Sequence, residues 1–142
     1  MDYHINFKNK KMKKLALIIL TLIITSCSVD TPDYQYKLLE IKDFTVPQSF
    51  NYGEVATIKV TYELPSSCYE FHSLYYQYKE TTRIVAIRSL EILGENCPQV
   101  VIEKELEIPI TVSQKEDYLF KFWKGKDNNG EDIFEEKVVP VN

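Results

Sequence analysis

Side chains able to do chemistry are few in this chain, and each can be weighed singly. There are two histidines, His4 and His72, and three cysteines, Cys27, Cys68 and Cys97. Catalysis of the Ser-His-Asp or Cys-His kind needs an imidazole within hydrogen-bond reach of a nucleophile. His4 lies in a basic and apolar leader expected to be removed, which leaves His72. It sits in an alternating run beside Ser73, and neighbours on a strand point to opposite faces, so the two are not expected to pair. A zinc site asks for four N or S ligands; once Cys68 and Cys97 bond to each other, His72 stands alone. Glu103, Glu105 and Glu107 recur every second residue, which reads as a solvated strand face, and so short a domain rarely encloses the cleft a glycosidase needs. Asp127-Asn128-Asn129-Gly130-Glu131-Asp132 gathers hard oxygen ligands. Its glycine stands fourth from the first aspartate, whereas an EF-hand loop needs it sixth, and a hairpin turn accounts for every residue. No catalytic residue, no metal site and no cofactor is expected.

The aromatic residues are the stronger lead. If Tyr118, Phe120 and Phe122 face a core, alternation turns Leu119, Lys121 and Trp123 to the opposite face. An exposed Trp123, beside Tyr75 or Tyr76 on the expected neighbouring strand, makes a platform that stacks on a sugar ring or anchors a protein contact. The opposite phase would place Trp123 in the core.

The elements that hold these residues begin with a leader. Leu15 to Ile24 is apolar apart from Thr21 and follows Lys8, Lys10, Lys11, Lys13 and Lys14. At about 1.5 Å per residue such a helix covers roughly half a bilayer core, so it is read as a secretory signal rather than a span. Ile24-Thr25-Ser26-Cys27 resembles the lipobox of bacterial lipoproteins. The resemblance implies cleavage before Cys27, a diacylglyceryl group on its thiol and acylation of the new amino group. Three acyl chains exceed the two lipid signals that stable anchoring requires. Read from Met12, MKKLALIILTLIITSC is a complete signal of this kind, so translation is expected to start there. Lipoproteins retained at an inner membrane commonly carry aspartate directly after the cysteine; here that residue is Ser28, so the resemblance points to the outer membrane.

Of 17 basic and 21 acidic side chains, five lysines and Asp2 precede residue 27. The 116 residues that remain carry a formal net charge of −8. That balance argues against nucleic acid and anionic lipid surfaces as partners. Ten Tyr and seven Phe mark a folded segment, and no internal repeat or low-complexity tract is evident.

Ser28 to Tyr36 has little to bury and reads as a tether, extended over at most about 30 Å. Beyond it the pattern has period two with frequent breaks. Strands are expected at Leu38–Phe44, Ala56–Leu64, Tyr69–Tyr78, Arg83–Ile92, Val100–Ile110, Tyr118–Lys124 and Ile133–Val141. Seven short strands and no helix predict an all-β, seven-stranded antiparallel sandwich. YGEVATIKVTYEL and YLFKFWKGKDNNGED resemble the second strand and last hairpin of immunoglobulin-like and fibronectin-type-III-like domains, with Tyr118 as a corner tyrosine. The inter-sheet cysteines of an immunoglobulin domain would lie near Ile58 and Phe120 and are missing.

If strands alternate up and down, Cys68 and Cys97 lie at one end of the sandwich, and a disulfide between them is expected in an oxidising envelope. With no Cys-x-x-Cys motif, a redox pair is not. The same count gathers the tether, the Pro65–Cys68 turn, the Cys97 turn and the Asn129-Gly130 hairpin at that end. Residues 47–54, 79–82 and 111–117 fall at the other. The whole describes a lipoprotein of the cell envelope, held at the outer membrane by lipid on Cys27. Residues 1–26 are the signal, 27–36 the tether and 37–142 an immunoglobulin-like sandwich acting as a non-enzymatic interaction module for a protein or glycan. A carbohydrate-binding surface lipoprotein is the first rival, and an envelope inhibitor or small hydrolase the second.

Overall fold

In the computed structural model, residues 33–94 and 96–142 are described. The leader and Cys27 lie outside them, as does most of the tether. No helix occurs among the described residues. Eight strands among the described residues form two packed sheets: β1 (Tyr34–Leu39), β2 (Ile41–Thr45), β3 (Val55–Leu64), β4 (Tyr69–Lys79), β5 (Thr82–Ile92), β6 (Ile102–Thr111), β7 (Tyr118–Lys126) and β8 (Asp132–Val139). One sheet holds β2, β3 and β6 in that order. The other has five strands, with β4 along one edge of β5 and both β1 and β7 along its other edge, β8 lying outside β7.

β3 shows why the sandwich forms. Ile58, Val60, Tyr62 and Leu64 are buried, while Thr57, Lys59, Thr61 and Glu63 turn away, so a period-two pattern becomes a two-faced strand. Its partners Ile108 and Ile110 on β6 and Ile41 on β2 complete that sheet's inner surface. Val85 and Ile87 of β5 and Tyr118, Phe120 and Phe122 of β7 supply the other. Phe44 stacks on Phe122 across the layers, ring centroids 3.9 Å apart, and Phe50 meets Tyr118 edge-on at 5.3 Å. Such aromatic pairs are each worth about 0.5–1.5 kcal/mol beyond the area they bury. The corner role of Tyr118 is visible too, since its hydroxyl accepts the Ser113 backbone N–H at 3.1 Å.

Two features depart from the expected seven antiparallel strands. The segment read as one strand is two, β1 pairing with β5 and β2 with β3, because the chain changes sheets at Glu40. Leu39 and Ile41 both reach the core, one from each layer. Tyr34 to Tyr36, counted with the tether on sequence, belong to β1 and pair with Ile92 to Leu90. The second departure is that β5 and β7 are parallel. They run the same way because β6, the strand between them in sequence, crosses to the other sheet.

The distribution of loops follows the alternation. Val55 pairs with Thr111 and Lys79 with Thr82 at one end; Leu64 pairs with Ile102 and Lys126 with Asp132 at the other. Cys68 and Cys97 pair as a disulfide at the second end, with Cα atoms 5.6 Å apart and 29 residues between them in sequence. The first end is closed by Phe50, fully buried, whose N–H donates to the Pro140 carbonyl at 2.8 Å.

Candidate functional site

The outward face of the five-stranded sheet is hollow, and the reason lies in β5. Its residues Thr82 to Val85 pair with β7, whereas Ile87 to Ile92 pair with β1. Two strands therefore meet end to end along one edge, and Ala86, between the two pairings, contributes only a methyl group there. Trp123 follows Phe122, the last β7 residue paired with β5, and fills this junction. Next comes a bulge between Trp123 and Gly125, where Gly125 adopts φ 109°, a conformation that favours glycine.

The result is a groove of about 680 Å³. Tyr36 and Leu38 form one wall from β1; His72, Tyr75 and Gln77 form the opposite wall from β4; Ile84, Ala86 and Arg88 of β5 make the floor; Trp123 and Phe134 close the remaining side. Trp123 is 9% exposed and donates its indole N–H to Asp132 Oδ1 at 3.0 Å. Asp132 also receives Lys126 Nζ at 3.0 Å, and these two donors, the indole first, hold its carboxyl below the usual aspartate range. On the β4 wall, the Tyr75 hydroxyl donates to Gln77 Oε1 at 2.8 Å, and the Arg88 guanidinium lies over the Tyr75 ring at 4.8 Å. The His72 ring meets Tyr36 at 5.1 Å. The chemistry on offer is aromatic surface beside planar hydrogen-bonding groups, in a recess large enough for a small ligand.

Of the three residues picked from sequence as a binding face, the structure brings Trp123 and Tyr75 together and sends Tyr76 elsewhere. Tyr76 points inward, against the core, because it neighbours Tyr75 on the same strand. Burial raises its phenol above the usual tyrosine range. Trp123 takes the outward phase but is sheltered rather than exposed, since Ala86 leaves it a recess to occupy.

His72 and Ser73 do not keep the strict alternation expected of them. The β4–β5 register slips between Phe71 and Ser73, and Phe71 and Leu74, three apart, both face inward. A bulge thus places His72 outward in the groove without the strict alternation assumed for it. No hydrogen bond joins His72 to a carboxylate or hydroxyl among the described residues. Among the described residues, too, no three His, Cys, Asp or Glu side chains are grouped to hold a metal ion. Asp127 is occupied by its own turn: its carboxylate accepts the backbone N–H groups of Asn129 and Glu131 at 2.8 and 2.9 Å. Those bonds lower its pKa.

Sequence reasoning missed Arg88, Phe134, Tyr36 and Leu38. The outward placement of Arg88 and Phe134 follows from alternation once the register is known; the part played by β1 does not, because Tyr34–Tyr36 are too few residues to show a period.

No curated protein and no solved structure matches this chain. The family model of the ORF11 beta-sandwich domain matches residues 58–139. That range runs from the first buried residue of β3 to the end of β8 and contains every groove residue except those of β1. The chain belongs to the ORF11 beta-sandwich domain family.

Proposed function

We propose that this protein is a non-enzymatic binding module of the cell envelope, anchored to the outer membrane through lipid on Cys27, whose ligand occupies the groove around Trp123. The observation that carries the reading is the position of Trp123 and Tyr75. Both stand on the outward side of a sheet, yet both line a recess rather than a flat surface. Large aromatic residues in recesses are where binding energy concentrates. The leader and its cysteine supply the address.

A carbohydrate ligand is the second reading, favoured by the company Trp123 keeps. Gln77, Arg88 and Asp132 place planar polar groups around aromatic faces, an arrangement suited to a sugar ring and its hydroxyls. A glycan array probed with the soluble domain and with Tyr75→Ala separates the two. Signals on defined glycans that fall at least tenfold in the variant support a sugar ligand. An empty array, with a discrete adduct to an envelope protein from a photo-crosslinker at position 75, supports a protein ligand. Turnover of an envelope substrate that is lost in His72→Ala would overturn the non-enzymatic reading.

A further inference from the structure

A second recess, of about 410 Å³, opens between the edge strands β4 and β6, away from the Trp123 groove. Its walls are apolar and aromatic, with Leu74 and Tyr76 on one side, Ile108 and Ile110 on the other and Tyr118 behind. One charged side chain lines it: Arg83, 4% exposed. Its Nη1 donates to the carbonyls of Glu80 and Thr82 at 2.8 and 3.1 Å, and its Nη2 donates to Gln114 Oε1 at 2.5 Å. Tyr78 and Tyr118 sandwich the guanidinium, 4.7 and 4.8 Å from their ring centres.

These contacts explain part of the residue. Glu80 has φ 54°, strained for a side chain other than glycine, and Arg83 holds the carbonyls of Glu80, within that two-residue turn, and Thr82, just after it. They do not explain the rest. A guanidinium has five N–H donors; Glu80, Thr82 and Gln114 take three, and the Tyr76 phenol oxygen lies near enough to draw on another. Nε is buried and makes no hydrogen bond among the described residues. Nε and Nη2 together form an edge of the planar fork, of the kind that takes a carboxylate through two parallel bonds. A buried cation is ordinarily given a counter-charge. Although the chain is rich in acids, no carboxylate forms an ion pair with Arg83 among the described residues.

We propose that this recess is a second binding site, in which Arg83 recognises the carboxylate of a singly charged ligand with an apolar body. The walls set the body, and the solitary cation sets the charge, since a phosphate dianion would be left half-neutralised among aromatic rings. Tyr76 supplies a further donor. Burial raises its phenol above the usual tyrosine range, opposed by the Arg83 charge and by the hydrogen bond its oxygen draws from Arg83. Tyr78, 70% exposed and stacked on the guanidinium, is a cover with room to swing into solvent. The site is independent of the groove, so either can fail without the other.

The test observes the Arg83 Nε–H directly by NMR in the folded domain with its disulfide intact. Phenylacetate and octanoate are titrated in parallel with phenylacetamide, inorganic phosphate, and a short peptide ending in phenylalanine with its terminus free or amidated. The site predicts a saturable shift of the Nε–H signal with the free acids and a response at least tenfold weaker with phenylacetamide and the amidated peptide. Tyr76→Phe, which keeps the packed ring, should weaken the binding several-fold, and Arg83→Lys should abolish it. Response to the small acids alone identifies a free carboxylic acid as the ligand; response to the free-terminus peptide alone identifies a protein C-terminus. An Nε–H signal that no free acid moves, or that phenylacetate and phenylacetamide move equally, overturns the proposal, and both results come from the unmutated protein.

Discussion

The outward faces of the two sheets are built on the same alternation and come out opposite in character. On the three-stranded sheet, Lys59 reaches Glu105 at 3.2 Å and Glu107 at 2.9 Å across the β3–β6 pair. Thr57 and Thr61 flank it, and the face is a flat, charged surface of the kind water covers. On the five-stranded sheet the corresponding face holds Trp123, Tyr75 and Phe134 around a hollow. The difference comes from the neighbours of one strand. β3 has a single partner along each edge, whereas one edge of β5 is divided between β7 and β1, and the division leaves a recess that aromatic side chains fill. An outward side chain is therefore solvated on one sheet, whereas Trp123 on the other is sheltered.

The comparison can be broken first at what holds the layers together. The Cys68–Cys97 disulfide joins the start of β4 to the loop that leads into β6, so it stitches one sheet to the other. For a loop of this length the chain-entropy account gives about 3–4 kcal/mol. Urea unfolding of Cys68→Ala/Cys97→Ala should lose about that amount; a midpoint unchanged from wild type would show that the sheets hold each other without the stitch.

Trp123→Ala sharpens the contrast between the faces themselves. Truncating a sheltered aromatic residue should cost about 3 kcal/mol, the lower end of core values, because the groove already admits solvent on one side. Lys59→Ala on the wet face should scarcely move the melting temperature, since exposed ion pairs contribute little. Equal losses from the two variants would mean that Trp123 is no more sheltered than a surface lysine.

The smallest effect is in pH. Asp132 is held below its ordinary pKa in the folded chain, so its contribution is present above the unfolded value of 3.8 and fades as pH falls through the lower folded value. Lys59 is raised by Glu107 and Glu105 above 10.5, so its contribution is present below that value and fades as pH rises through the folded one. Trp123 fluorescence should accordingly change below about pH 4, where the indole loses its charged acceptor, and stay flat through the alkaline limb until unfolding. A fluorescence change centred near neutrality would point to a partner other than Asp132.

Much of this architecture is legible in the sequence. The run from Ala56 to Leu64 declares its inner and outer faces residue by residue, and the up-and-down count places Cys68, Cys97 and the loops at their correct ends. What escapes sequence reading is non-local or irregular. Glu40 carries no mark of a strand changing sheets, because Leu39 and Ile41 keep an unbroken alternation through it. The bulge at His72 hides for the opposite reason: it breaks alternation in a segment, YEFHSLYYQY, where apolar residues are too dense to show a phase. Phe50 lies in QSFNYG, whose composition announces a turn and conceals a core residue closing one end. The groove needed the first two, since its shape depends on which strand lies beside which.

The most direct test of the account is where the protein touches its ligand in place. A photo-crosslinking residue is introduced at position 75 or position 59 of the full chain, and intact envelopes are irradiated. A discrete adduct from position 75 and none from position 59 is the predicted result. Adducts from position 59 alone, or equally from both, would contradict the claim that the aromatic hollow is the working surface.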